Sequence, residues 1–206
     1  MYLPLQFKAK DEAHALALMR AHPLASLISV DDEGFPVVTH LPLHLTHHDG
    51  QHVLQGHCAK ANPHWRYLQS RPQALVTFMG PQAYMSPKVY PDLTRVPTWS
   101  YLCVHAKVEA SLVDDPVAKD RLLKQLIGDH EPPYAMQWRG LAEDYQHKML
   151  NAIVAFELRI TDLQCAIKLN QHRPEAHLAM HAAYAQGSTD EQALADWMVK
   201  LGMVQP

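Results

Sequence analysis

Three short runs carry the residue types from which a ligand site could be built. Lys60-Ala61-Asn62-Pro63 puts a cation directly before a helix start, with Asn62 suited to cap the helix and Pro63 to its first position. Ala59 and Ala61 are small, so an anion could approach the backbone there. A phosphate needs such a cation together with hydroxyl or amide donors. Thr39 on the preceding strand can add a hydroxyl, and His57 can either donate to a ligand or hold the loop's shape. The same residues also describe a capped surface helix with a solvated lysine, and so short a motif leaves both readings open. Pro97-Thr98-Trp99 sits where an irregular stretch enters a long strand. That is a place to aim backbone groups and an aromatic face at a flat, amphipathic ring, or simply to bury a core tryptophan. Lys168 and Arg173 follow the last strand in a polar, kinked segment, either as ligand cations or as ordinary surface charge.

Other chemistries find less support. The chain has 15 histidines, and His44, His47, His48 and His52 cluster about one hairpin. Yet no HExxH, HxxEH or Cys/His set with zinc spacing occurs, so no metal site is expected and most histidines read as solvent-facing or hydrogen-bonded. Cys58, Cys103 and Cys165 are odd in number and widely spaced, which reads as reduced thiols in a cytoplasmic protein. No catalytic residue is assigned, since Cys58 beside one lysine is a weak nucleophile candidate. The absence of GxGxxG argues against a Rossmann nucleotide site. A net charge of -3 gives no general attraction to nucleic acid or anionic lipid. No basic recognition helix stands out. The N-terminus does not read as a signal peptide, and no apolar stretch is long enough to span a bilayer.

The elements that must position these runs follow from periodicity and punctuation. Residues 11–21 read as a helix capped by Asp11. Residues 24–30 are a short apolar strand, residues 35–45 its return strand, and residues 46–50 a second turn before a strand over 51–56. Residues 57–62 read as a loop leading to a short helix that Pro72 ends. Residues 74–79 form a strand, 81–97 an irregular stretch, and 99–113 one long strand. Asp115-Pro116 opens a helix with Leu122, Leu123 and Leu126 inward and Gly128 as its stop. Residues 141–150 are helical and 152–160 a strand. Helices follow over 174–185 and 190–201, the second preceded by the capping-box spacing of Ser188 and Glu191. The sum is about six strands, mostly antiparallel, in a partly open barrel with peripheral helices: an α+β fold in one domain over 1–206, with C-terminal helices from about 174–201.

Four segments are distinctive: Met1-Tyr2-Leu3-Pro4-Leu5-Gln6-Phe7, Gly56-His57-Cys58-Ala59-Lys60-Ala61-Asn62-Pro63-His64-Trp65, Val96-Pro97-Thr98-Trp99-Ser100-Tyr101 and Lys168-Leu169-Asn170-Gln171-His172-Arg173-Pro174-Glu175. With Tyr84-Met85-Ser86-Pro87 they resemble the PaiB family of FMN-binding negative transcriptional regulators, in the same order from Met1 to about Leu201. The sequence departs from that pattern at Ser100 and His172, where asparagine is expected, and at Asn170, where serine is expected. The resemblance implies a mostly antiparallel split β-barrel related to pyridoxamine-phosphate oxidases, FMN at a two-fold interface, and repression of gene expression. It also decides between the open readings of the first loop in favour of the phosphate site. The expected cofactor-binding residues are then Thr39, His57, Lys60, Ala61, Asn62, Pro97, Thr98, Trp99, Lys168 and Arg173.

A homodimer is also expected, because a partly open barrel leaves edges and an apolar face to cover. The strand over 99–113 supplies Leu102, Val104, Ala106, Val108 and Leu112 for that face. Two functions suit an FMN protein of this kind. One is negative regulation of the PaiB type, with direct DNA binding supported by neither charge nor motif. The other, by analogy with related barrels, is a flavin-dependent oxidoreductase acting on a small substrate or a reduced nicotinamide.

Overall fold

Ala25, Leu27 and Ser29 are buried while their neighbours are not, and this period of two makes β1 (Leu24–Val30) a half-buried strand. The structure is a computed structural model that describes residues 1–92 and 94–205. Leu93 in the irregular stretch and the terminal Pro206 lie outside the described residues. Asp31 turns the chain back by accepting from the amides of Glu33 and Phe35 at 2.9 and 2.8 Å. The return strand β2 (Pro36–Pro42) then pairs antiparallel with β1, Leu27 opposite Thr39.

The strand expected over 35–45 is two strands. Pro42 ends β2 because it has no N–H for a ladder, and the chain restarts as β3 (His44–His48). The following turn is shorter than expected. His48 pairs with Gln51, so only Asp49 and Gly50 lie between β3 and β4 (Gln51–Ala59), with φ of 50° and 77°. Two positive φ values are what a tight two-residue hairpin requires. β4 runs to Ala59, pairing antiparallel with β7 (Ile153–Lys168) down to Ala59 opposite Ile153. His57 and Cys58 therefore lie on a strand rather than in a loop.

α2 (His64–Ser70) starts one residue later than expected, with Pro63 at the cap position. Asn62 still serves the helix entry, its Oδ1 accepting from the amide of His64 at 3.0 Å. β5 (Gln73–Met85) continues through Pro81 into the stretch expected to be irregular. Its pairing with β1 covers only Leu75 to Thr77, so on that side no N–H is required at Pro81. β6 spans Thr98–Val113. α1 (Glu12–Ala21) and α3 (Pro116–His130) begin at carboxylate caps, Asp11 to Ala13 and Asp115 to Ala118. Gly128 does not stop α3, which ends two residues later at His130. α4 (Tyr134–Arg139) was not anticipated from the sequence. α5 (Glu143–Asn151), α6 (His177–Ala185) and α7 (Thr189–Lys200) complete the helices among the described residues.

The strands form one seven-stranded sheet in the order β2-β1-β5-β6-β7-β4-β3, an α+β arrangement. The chain divides into two compact units. One comprises Met1–Leu18, Met79–Val104 and Gln164–Pro206, the other Met19–Phe78 and His105–Leu163. In the first, Leu18, Met85, Leu102, Ile167, Leu169 and Met180 are buried; in the second, Leu27, Leu54, Leu68, Phe78 and Phe156 are. α6 packs on α7 in the first unit, and Ser188 and Glu191 close a full capping box at the α7 entry. We expect Ser188→Ala to lower the unfolding free energy by about 1 kcal/mol, read as a lower urea midpoint at unchanged slope. An unchanged midpoint would show that the box adds nothing to the packing of α7.

Candidate functional site

In the unit that holds β1, β2 and α2, one buried imidazole ties the entry of α2 to both strands. His64 is fully buried on α2. Its Nε2 meets Ser29 Oγ at 2.8 Å and its Nδ1 meets Thr39 Oγ1 at 2.8 Å. Asn62 Nδ2 donates to the same Thr39 hydroxyl at 3.1 Å. Burial holds the His64 pKa below its ordinary value. The neutral ring has one donor and one acceptor nitrogen, so the chain Ser29–His64–Thr39 has a direction. With the proton on Nδ1, Thr39 receives two donors and its own hydroxyl proton points to an outside acceptor. With the proton on Nε2, Thr39 donates inward to the ring.

The loop over 60–63 is fixed from its backbone as well. Lys60 N donates to Ala152 O at 2.8 Å, Asn62 N to Ala59 O at 2.9 Å, and Trp65 Nε1 to Lys60 O at 3.0 Å. Lys60 and Ala61 are exposed, Asn62 and Thr39 half-buried. His57, half-buried on β4, has its pKa lowered by burial, and its Nδ1 is buried with no hydrogen-bond partner among the described residues. Cys58 is buried and burial pushes its thiol pKa up, which removes it as a nucleophile.

The other unit gathers the remaining expected residues. Lys168, at the end of β7, donates from Nζ to Thr98 Oγ1 at 2.8 Å and lies 5.6 Å from the Tyr101 ring centroid. Trp99 is 48% exposed, so it is not a core residue; its Nε1 donates to Gln82 Oε1 at 2.7 Å and its ring meets Tyr84 edge-on at 6.3 Å. After β7 the chain turns at Asn170, whose φ of 63° is left-handed. Asn170 Nδ2 donates to the Tyr90 hydroxyl at 2.9 Å, and its carbonyl accepts from Arg173 N and meets His177 Nε2 at 2.9 and 3.1 Å. This turn directs Lys168, His172 and Arg173 into a cavity of about 340 Å³ that Thr98 and Arg95 also line. Pro97 and Trp99 stay outside that lining, and Pro97 is exposed.

The expected residues thus form two groups, Thr39 with Asn62 beside Lys60, and Thr98 with Lys168 and Arg173. Sequence reasoning missed Ser29, His64, Tyr90 and Arg95. The signal for Ser29 was present, as a serine on the inward phase of an apolar strand.

Residues 1–162 match the family model described as "Putative FMN-binding domain". The chain belongs to this FMN-binding family. It is 31% identical over 176 residues to "Protease synthase and sporulation protein PAI 2" of Bacillus subtilis, covering 85% of this chain and 84% of that one. Two solved structures share the fold: the flavocytochrome Anf3 of Azotobacter vinelandii and the FAD and heme binding protein of Mycobacterium smegmatis. The first gives a TM-score of 0.63 at 17% identity, covering 78% of this chain and 69% of that one. The second gives 0.62 at 19% identity, covering 78% and 73%. The fold is therefore the split barrel of flavoproteins, and the cofactor of the family is FMN. The residues fit that group. An exposed ammonium, a hydroxyl held by two side chains and a rigid turn of small residues are a donor set for a phosphate monoester.

The His64 bonds make a testable demand. An unfolded histidine takes up its proton near pH 6.5, whereas folded His64 resists it. Its contribution to stability is therefore complete above that pH and is lost as pH falls towards its folded value. We expect His64→Phe to cost about 1–3 kcal/mol at pH 7.5, from the unpaired Ser29. We also expect a smaller loss between pH 7 and pH 5 than in the native chain. Urea unfolding at both pH values checks this, and an unchanged pH dependence would remove His64 from the account.

Proposed function

We propose that this chain is a cytoplasmic, homodimeric FMN-holding regulator of the PaiB type, acting without reading DNA directly. The observation that carries the reading is the bonded set Ser29–His64–Thr39–Asn62, which holds a hydroxyl on Asn62, two residues along the chain from Lys60. In this reading the flavin phosphate lies on Thr39, Lys60 and Asn62. Ala61 allows close approach and His57 shapes the adjoining wall. Pro97, Thr98, Trp99 and Lys168 of a second subunit frame the ring. FMN held there supplies reversible redox chemistry, and the chain's part is to bind, orient and shield it. Arg173, expected at the same ring or phosphate, receives a different role below.

Support for the dimer comes from a face different from the one expected. Leu102, Val104, Ala106 and Val108 are the inward phase of β6 and are buried within the single chain, while Leu112 is half-buried. The unit of Trp99 does leave large apolar side chains exposed, among them Met79, Tyr84, Val96 and Trp99 itself. A second copy laid on that face would shelter both the aromatic pair and a flavin ring.

The regulatory part rests on the relative's name, which concerns protease synthesis and sporulation, and on the family resemblance. A net charge of -3 favours an indirect effect through a partner or metabolite. Among the described residues no helix is long and apolar enough to cross a membrane. The second reading, a flavin-dependent oxidoreductase, is favoured by the basic cavity lined by Thr98 and Lys168, where an anionic substrate could lie.

Two measurements test the cofactor and its placement. Flavin released by denaturing the purified protein should be FMN rather than FAD. Lys60→Ala should weaken FMN roughly ten- to hundred-fold and riboflavin hardly at all, the loss of a charge-assisted hydrogen bond. Equal loss for both flavins would move Lys60 away from the phosphate. Shared sites can be read by subunit mixing. Lys60→Ala chains combined with Lys168→Ala chains, each defective alone, should regain one intact site in each mixed dimer. A monomer in sedimentation that still holds FMN defeats the shared site.

A further inference from the structure

The cavity at the Asn170 turn is more cationic than a flavin ring edge requires. Arg95, Lys168 and Arg173 all line it, and among the described residues no carboxylate does. Only Lys168 has a bond that ties it to the Thr98 edge. Each of the two arginines has one acid in reach through a single terminal nitrogen. Arg95 Nη2 meets Asp92 at 3.2 Å, and Arg173 Nη1 is 3.9 Å from Glu175. Arg95 Nε is buried and has no hydrogen-bond partner among the described residues, so one donor of its fork is left over.

Tyr90 is a further donor. Its hydroxyl accepts from Asn170 Nδ2 at 2.9 Å, which leaves the phenolic proton to give. The ring of Tyr90 also lies 5.5 Å from the Arg95 guanidinium carbon, a cation–π contact that holds the fork near Tyr90. The left-handed turn at Asn170 then holds Arg173 on the same cavity, its amide bonded to the Asn170 carbonyl. A buried donor left without an acceptor is destabilising, so such a constellation is completed by an anion that supplies acceptors. Guanidinium forks match two-oxygen anions, carboxylate or phosphate, better than a point charge would. A volume of about 340 Å³ suits a small organic molecule.

We propose that this cavity binds a small organic dianion, a phosphate monoester or a dicarboxylate, on Arg95, Tyr90 and Arg173, as a second ligand beside the flavin. The proposal rests on the flavin reading only in placing Lys168 between the two ligands. In that arrangement the dianion is the substrate or effector whose presence the flavin protein reports. Its acidic groups bind at the arginines, and the rest of the molecule points towards Thr98.

The test uses the FMN-loaded dimer at fixed ionic strength in titration calorimetry. Glycerol 3-phosphate and succinate are the probes, with glycerol and succinamide as uncharged controls. At least one dianion should bind once per chain and neither control should. Which of the two binds tells phosphate ester from dicarboxylate. Arg95→Gln should weaken that probe roughly ten- to hundred-fold, and FMN affinity should stay within about twofold. Should Arg95→Gln fail to fold, Arg173→Gln carries the same comparison. Absence of saturable probe binding overturns the proposal. So does displacement of FMN by the probe, or an equal loss of FMN in the variant, since either would assign the cavity to the flavin itself. If the native chain takes no FMN, the flavin reading fails by itself, and the probe titration on the flavin-free protein still decides the dianion site.

Discussion

A fully buried imidazole with a hydroxyl on each nitrogen is the constraint around which the loop over 60–63 is arranged. Each of the His64 bonds is worth about 0.5–1.5 kcal/mol net, but an orphaned partner costs more than a bond gains. Ser29, Thr39 and His64 must therefore stay in one mutual geometry or the buried polar groups are left unpaid by any partner. Ser29 comes from β1, Thr39 from β2 and His64 from α2, so the triad sets where the helix sits on the hairpin. Because Asn62 bonds both Thr39 and the amide of His64, the backbone between Lys60 and the helix has little freedom. A ligand arriving there meets donors already in place, and preorganisation of this kind lowers the cost of binding.

The unit that contains Asn170 solves a different problem. A strand as long as β7 must stop and reverse without burying unpaired backbone, and Asn170 does this in a left-handed conformation that asparagine tolerates better than most residues. Its side chain and carbonyl take three partners, Tyr90, Arg173 and His177. The turn is thus a fixed corner. The family pattern places serine at this position, and only the longer amide of asparagine has an N–H to give to Tyr90. The departure from the pattern therefore has a local structural use.

Much of this was legible in the sequence because the signals are local. β1 follows from a period of two, the α7 cap from Ser188 and Glu191, and the α1 and α3 starts from Asp11 and Asp115. The loop over 60–63 and the Thr98–Lys168 group drew attention because their segments carry a family pattern. The misses were non-local. His57 and Cys58 belong to a strand only because residues 154 and 155 lie opposite them. Residues 81–85 and 161–168 extend strands beyond the points where alternation fades. Gly128 left α3 running because an interior glycine costs a helix only about 1 kcal/mol. The Ser29–His64 bond joins residues 35 apart, and periodicity marks Ser29 as inward without naming its partner.

Charge placement connects the two units to function. The chain carries 21 acidic and 18 basic residues, an excess that discourages any long polyanion. Many of the acids serve the backbone. Asp11, Asp31, Asp92, Asp115 and Glu191 each accept from a main-chain amide at a turn or helix entry. Those carboxylates are fixed by local folding, and only Asp92 among these five also reaches a cation of the Asn170 cavity, Arg95. Lys60 and the cations of the Asn170 cavity are placed otherwise, at a rigid loop and around a concave surface. At physiological salt a charge is felt over about 8 Å. A duplex laid across the surface would meet the acidic excess, whereas a small anion at either place meets mostly the local cations. The same composition that gives no general attraction to a long polyanion is therefore compatible with binding of small phosphates and carboxylates at these local cations.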